Sequence, residues 1–265
     1  MITWFLDMAS KIIVAGNQKG GVGKTSVVQV LAASLAARGK KILIIDMDQQ
    51  CNLTSCYFDP SSVSASSYDI LLNKKGAEQC IYRVSERIDL IPASNMLSAI
   101  EIDLGNKAGN QVRLAKALRK VKNGYDFILI DTPPALGLAS INAYTAADEV
   151  IIPCQADLFS IQGLDMLSET ITAVKEYCNP TLKISGILLV RYNRRTVLGR
   201  EIKALLHKIA ESFETKIFNT AISECIAVKE AQINRTDVIS YKPYSTAALD
   251  YKAFADEVLA DEKEL

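Results

Sequence analysis

The sequence predicts an α/β fold: a single three-layer α/β/α domain around a mostly parallel central sheet. Three observations predict it. Short apolar runs bounded by turn residues alternate with helical patterns along the whole chain, as strands joined by crossover helices do. Those runs are continuously apolar, as in Ile42-Leu43-Ile44-Ile45 and Phe127-Ile128-Leu129-Ile130, which fits strands covered on both faces. The first of them passes through a glycine-rich turn directly into a helical pattern.

Residues 1–10 read as an N-terminal extension and 11–265 as the folded domain. The first eight residues are apolar but carry no basic residue and are too short for a secretory signal. The first strand is expected over 12–16, from the run that follows Lys11. A helix follows over 25–38 and is stopped by Gly39. The next strand is expected over 41–46, and the Ser-rich stretch 59–67 reads as a surface loop. A helix over 68–73, a strand over 87–92 and helices over 98–104 and 112–123 come next. Strands are then expected over 127–131, 150–154 and 184–190, separated by helices over 140–146 and 160–178. A helix over 198–212, strands over 216–218 and 238–239 and a helix over 246–259 complete the chain. No internal repeat or domain-splitting linker interrupts this order.

Composition removes several function classes. The 30 basic and 30 acidic residues cancel, so any contact with nucleic acid has to come from a local basic face. The six cysteines form no C-x-x-C pair and have only one histidine, His207, for company. Zinc and haem spacings are therefore absent, and reduced thiols are expected. No apolar run approaches the roughly 18 residues that span a bilayer.

The chain is organised around Asn17-Gln18-Lys19-Gly20-Gly21-Val22-Gly23-Lys24-Thr25-Ser26. Glycines at 20, 21 and 23 let the backbone curl with its N–H groups inward and approach an anion closely. The helix that begins there adds its unpaired N–H groups and its dipole, both favouring negative charge. Lys24 is placed to reach the outer phosphates of a nucleotide, and the Thr25 hydroxyl to hold magnesium. The cradle is expected to comprise Lys19, Gly20, Gly21, Val22, Gly23, Lys24, Thr25 and Ser26. Its wording, K-G-G-V-G-K-T, is a variant of the usual G-x-x-x-x-G-K-[ST] with a second lysine at the mouth.

Two strand ends carry carboxylates toward this loop. Ile130-Asp131-Thr132-Pro133-Pro134 resembles a Walker B end, with Asp131 supporting the magnesium, usually through a water. In Ile45-Asp46-Met47-Asp48 the two carboxylates share a side if the strand persists to 48. Otherwise Asp48 lies on a loop able to move with the γ-phosphate. Thr25, Asp48 and Asp131 form the expected metal set.

With the variant loop, Asp46-x-Asp48-x-Gln50-x-Asn52, Ile130-Asp131-Thr132-Pro133-Pro134, Gly137-Leu138, Ile151-Ile152-Pro153-x-Gln155 and Gly163-Leu164 in place, the chain resembles the ParA-type (Soj-like) partition ATPases. The likeness covers nearly its whole length. It implies a P-loop NTPase of the deviant Walker A class that uses ATP and Mg2+ and hydrolyses ATP weakly without its partner. It also implies an ATP-sandwich homodimer in which Lys19 reaches the other subunit's phosphates while Lys24 serves its own. Asp48 matches the residue that positions the attacking water, so the implied catalytic set is Lys19, Lys24 and Asp48. Further implied are non-specific DNA binding by the dimer and a centromere-bound partner of the ParB type that stimulates hydrolysis. The setting implied is cytoplasmic and nucleoid-associated, with chromosome or plasmid DNA as the cargo.

The chain departs from the family pattern in two places. Gln49 and Cys51 stand where the switch segment usually has proline and glycine. Ser223-Glu224-Cys225-Ile226-Ala227 replaces a usual Pro-Arg-Asn-Val-Arg, which removes two cations and adds an anion and should weaken phosphate contacts. What remains for DNA is the stretch from Arg191 to Lys208, in which only Glu201 is acidic. Arg191, Arg194, Arg195 and Arg200 are the expected contacts. One rival is a membrane-cycling ATPase of the MinD type, which would end in a basic amphipathic helix, whereas this tail is acidic. The other is a metabolic ATP-dependent ligase or an iron–sulfur reductase on the same scaffold, and the cysteine pattern does not favour a cluster.

Overall fold

The computed structural model describes residues 10–193 and 197–262, with the side chains of 158, 159, 161, 162, 197–200 and 203 outside the description. β1 (Lys11–Ala15) leads to α1 (Lys24–Ala36) and β2 (Ile42–Asp46). Helices α2 (Asn52–Ser55) and α3 (Ser67–Leu71) precede β3 (Tyr82–Arg83) and β4 (Ile88–Ile91). After α4 (Ile100–Leu104) and α5 (Arg113–Leu118) come β5 (Phe127–Asp131), α6 (Leu138–Ala146) and β6 (Glu149–Cys154). Then follow α7 (Leu158–Tyr177), β7 (Lys183–Leu189), α8 (Val197–Ser212), α9 (Ile226–Ile233), α10 (Val238–Tyr241) and α11 (Thr246–Asp261).

The strands form one sheet in the order β3-β4-β2-β5-β1-β6-β7. Among the described residues, only the β3–β4 pair is antiparallel. Alternation along each strand divides the side chains between two cores. Ile12, Val14, Leu43, Ile45, Ile128 and Ile130 face one, where they meet Leu114, Ala143 and Leu164 of α5–α7. Ile13, Ala15, Ile42, Ile44 and Leu129 face the other, under Leu31 and Leu35 of α1 and Phe254 of α11. These are the two covered faces that the unbroken apolar runs required. Each fully buried aliphatic side chain contributes roughly 1.5–3 kcal/mol relative to exposure.

β1 lies between β5 and β6, with its own successor, β2, on the far side of β5. Connections therefore leave β1 and β6 in opposite directions. The crevice beyond their carboxyl ends is a topological switch point, where open α/β sheets hold ligands.

Some elements differ from the expectation. The strand expected over 238–239 is helix α10: Asp237 accepts from the Ser240 N–H at 2.9 Å, and this cap outweighs the β-branched pair Val238-Ile239. The strand expected over 216–218 is reduced to an isolated bridge between Ile187 and Ile217. The helix expected over 112–123 shortens to α5, flanked by 3-10 turns. Helix α9 escapes the pattern because Ile226 and Ile233 are exposed and its buried side chains are Ala227 and Ala231, with the partly buried Val228 packed against the core. Periodicity of alanines gives little amphipathic signal.

Candidate functional site

The loop between β1 and α1 is held open by its own side chains. Asn17 is buried, donates through Nδ2 to the Pro153 carbonyl at 2.7 Å, and accepts the Lys19 N–H on Oδ1 at 2.9 Å. Gly21 and Gly23 have φ of 76° and 83°, left-handed conformations that favour glycine. Gly23 precedes the first residue of α1, whose first turn has neither a side-chain cap nor an acidic residue. Its N–H groups and dipole are thus left to whatever anion enters the crevice.

Lys24 folds back over the loop and is buried, its Nζ donating to the carbonyls of Asn17 at 2.9 Å and Lys19 at 3.1 Å. Burial lowers its pKa from the usual lysine value, and the charges of Asp131 and Asp48 partly restore it. Val22 is buried behind the loop. Gly20, Gly21, Gly23, Lys24, Thr25, Ser26 and Asp48 all line one cleft of about 650 Å³.

Sheet register brings the two strand-end carboxylates together, because Asp131 of β5 pairs with both Ala15 of β1 and Asp46 of β2. The Thr25 hydroxyl donates to Asp131 Oδ2 at 2.7 Å. Asp131 Oδ1 is buried without a protein partner. An orphaned carboxylate oxygen beside a threonine hydroxyl is an oxygen donor set suited to a hard divalent cation and its waters.

β2 ends at Asp46, so Asp48 lies on the loop beyond it. Asp46 is turned away from the cleft. It accepts the Asp48 N–H at 3.0 Å and both the N–H and hydroxyl of Thr54 at 2.8 and 2.7 Å. Its work is to shape the segment that carries Asp48, whose own Oδ1 accepts the Gln50 N–H at 3.0 Å. Cys51, where the family pattern has glycine, sits at φ 53° just before α2. A side chain in that conformation costs about 1–2 kcal/mol.

Burial pushes the Asp46 carboxyl up to about 6, with Thr54 hydrogen bonds pulling the other way. Burial, and then the Asp46 charge, also raises Asp131 well above the carboxylate range. These are raised folded-state values. Well below pH 4 both groups are protonated whether folded or unfolded. As pH rises toward 6 the unfolded chain releases protons that the folded chain keeps, and stability falls. Urea denaturation of the nucleotide-free protein should show a loss on the order of 1–3 kcal/mol between pH 4 and 7. Asp131→Asn should flatten that slope.

Lys19 does not lie over the glycine loop. Its Nζ reaches Asp157 at 2.7 and 2.8 Å and the Ser160 hydroxyl at 3.1 Å, at the start of α7. Other bonds join the same two elements. Gln155 Nε2 donates to the Gly21 carbonyl at 3.1 Å, and Gln18 Nε2 donates to the Met166 carbonyl and the Thr170 hydroxyl at 3.0 Å. The expected helix begins at Ser160, and Asp157, which caps α7, carries no sequence-based expectation. Gln232, which donates to the Ser26 hydroxyl at 3.1 Å, gave no signal at all.

A second pocket of about 330 Å³ continues from the cleft, sharing Gly23, Ser26, Arg191, Lys229 and Gln232 with it. Ser223, Glu224 and Cys225, the departure from the family pattern, form part of its wall. Arg191 lines both spaces. Arg194 and Arg195 lie outside the described residues, and of Arg200 only its place in α8 is described.

A family model described as an AAA domain matches residues 10–184. The chain is 39% identical to the sporulation initiation inhibitor protein Soj of Bacillus subtilis (strain 168), over 95% of this chain and 99% of that one. It is 36% identical to the chromosome-partitioning ATPase Soj of Treponema pallidum (strain Nichols), over 94% and 97%. Among solved structures it superposes on cobyrinic acid a,c-diamide synthase from Mycobacterium smegmatis, described with bound ADP and magnesium. That match has a TM-score of 0.83 and 31% identity over 96% of each chain.

Proposed function

The chain belongs to the ParA/Soj family of partition ATPases, and from that premise we propose that it is an ATP-driven DNA-segregation switch, with residues 11–265 as its ATPase domain. ATP occupies the cleft, its phosphates on the loop from Lys19 to Ser26 and its nucleoside in the adjoining pocket. Lys24, already curled over the loop, neutralises the chain's own phosphates. Thr25 and Asp131 would hold Mg2+, which would supply charge neutralisation to the phosphates. Asp48, on a loop at the cleft wall, positions the attacking water. Lys19 serves the phosphates of a second copy, so ATP joins the dimer and its hydrolysis dissolves it.

The observation that carries this reading is the division between the two lysines. Lys24 is committed by its bonds to its own loop, whereas Lys19 extends away from it to the surface of α7. In the dimer, Arg191, Arg194, Arg195 and Arg200 contact DNA phosphates. A ParB-type partner accelerates hydrolysis. Cytoplasmic and nucleoid-associated residence follows from the same reading.

Membrane cycling of the MinD type is disfavoured by how the tail is used. α11 buries Tyr251, Phe254, Ala255 and Val258 in the core. Its acids dock it onto the body: Asp256 pairs with Arg38 and Asp261 with Lys216, both at 2.6 Å. Among the described residues of α11, Leu249 is the one large apolar side chain left exposed. The likeness to a diamide synthase favours ATP-dependent amidation as a second reading. A glutamine-hydrolysing Cys–His pair would need His207, the one histidine of the chain, and it is exposed on α8.

Retention of duplex DNA, measured with ATP, ADP and a non-hydrolysable analogue over a range of salt, tests the proposal. Retention is expected with ATP or the analogue plus magnesium and not with ADP, and it should fall steeply with salt. An ATP-loaded dimer that retains no DNA at low salt would overturn the DNA part. Turnover that depends on a small carboxylic acid and an amide donor would favour the ligase.

A further inference from the structure

We propose that Asp157 is a positioning residue that holds Lys19 within its own chain and thereby sets the threshold for ATP-dependent dimerisation. This rests on the cross-subunit role given to Lys19 above.

The geometry is that of a made bond. Both Asp157 carboxylate oxygens lie within 2.8 Å of Lys19 Nζ, and the Ser160 hydroxyl adds a further contact at 3.1 Å. The pair is only partly exposed, with side-chain accessibilities of 26% and 34%, so water and salt screen it less than a surface ion pair. Burial raises the Asp157 carboxyl, but the Lys19 ammonium and the Ser160 N–H more than offset that and hold it below the usual carboxylate range. The lysine's backbone is fixed as well. Asn17 accepts the Lys19 N–H, and a Cβ on Gly163 of α7 would lie 3.8 Å from Lys19 Cβ. α7 therefore passes at ordinary van der Waals distance from the loop at Gly163, beside the ion pair.

One ammonium cannot hold this bidentate geometry and also reach the phosphates of another subunit. The intramolecular pair and the cross-subunit contact therefore compete, and each must be counted twice in a symmetric dimer. Asp157 shifts the balance toward the single chain. It has a second task that the test has to leave intact: it caps α7, accepting the Ser160 N–H at 2.8 Å. Asparagine caps a helix as well as aspartate does, so Asp157→Asn removes the charge and keeps the cap. Asp157→Ser does the same with a different side chain.

The experiment is sedimentation of the full chain with magnesium and a non-hydrolysable ATP analogue, across protein concentration, for four proteins: wild type, Asp157→Asn, Lys19→Ala and the double variant. Asp157→Asn should dimerise at about tenfold lower protein concentration, which is ~1.4 kcal/mol, and it should have no effect once Lys19 is alanine. Asp157→Ser should repeat the result if asparagine perturbs folding, as judged by the thermal midpoint. An Asp157→Asn dimer of unchanged or lower affinity, or the same gain in the Lys19→Ala background, overturns the proposal. If Lys19→Ala itself dimerises like wild type, the cross-subunit reading is what fails.

Discussion

Lys19→Ala is expected to give a protein that folds and binds ATP as a single chain but no longer dimerises with it. Lys19 belongs to neither core, and its Nζ meets Asp157 and the buried Ser160 hydroxyl at the start of α7. Lys24 remains to hold the outer phosphates, through a geometry that uses only the Asn17 and Lys19 carbonyls and survives the substitution. The dimer, by contrast, loses two lysine–phosphate contacts. A hydrogen bond to a charged group contributes roughly 1.5–3 kcal/mol, so the pair should weaken association by a factor of about 100 or more. Sedimentation with ATP and magnesium measures this directly, and filter binding of labelled ATP provides the control. Loss of ATP binding in step with dimerisation would mean that Lys19 serves its own phosphates. DNA retention should vanish with the dimer.

Asp48→Ala has the opposite signature: the dimer forms and persists, while hydrolysis falls by about 10²–10⁴, the usual contribution of a group that manages the attacking nucleophile. The structural reason for expecting a clean effect is that Asp48 supports its loop mainly through its backbone. Its N–H, which donates to Asp46, is untouched by the substitution. Among the described residues the carboxylate loses its hydrogen bond from the Gln50 N–H and its charge interaction with Lys24. Phosphate release under saturating ATP and partner would report the rate, and sedimentation the trapped dimer. A variant that hydrolyses ATP at the wild-type rate would remove Asp48 from the chemistry and leave the charge of Lys24 and the metal position at Thr25 and Asp131 to account for it.

Much of this site was legible in the residues because its parts are local. A glycine-rich turn between an apolar strand and a helix specifies its own conformation, and Gly21 and Gly23 take the positive φ values that only such residues adopt readily. Continuous apolar strands specify two covered faces, and alternate residues duly divide between two cores. Strand ends carrying Asp46 and Asp131 were visible as single letters after four apolar ones. Their pairing was not, since it depends on β5 inserting between β1 and β2.

Layering of the sheet and helices, and the glycine-rich turn between β1 and α1, follow from the residues alone, because each rests on neighbours in the chain or on a repeating pattern. What the side chains around that turn touch depends on the tertiary fold. Asp46 faces Thr54 and shapes a loop, Asp131 keeps one buried oxygen without a protein partner, and Lys19 is drawn 138 positions along the chain to Asp157. Such contacts are set by strand order and by where α7 lands against the loop, and no local propensity encodes either. Helix α9 makes the same point from the side of the fold. Its two alanines, too weak a pattern to announce a helix, face inward, while Lys229 and Gln232 of the same helix line the pocket.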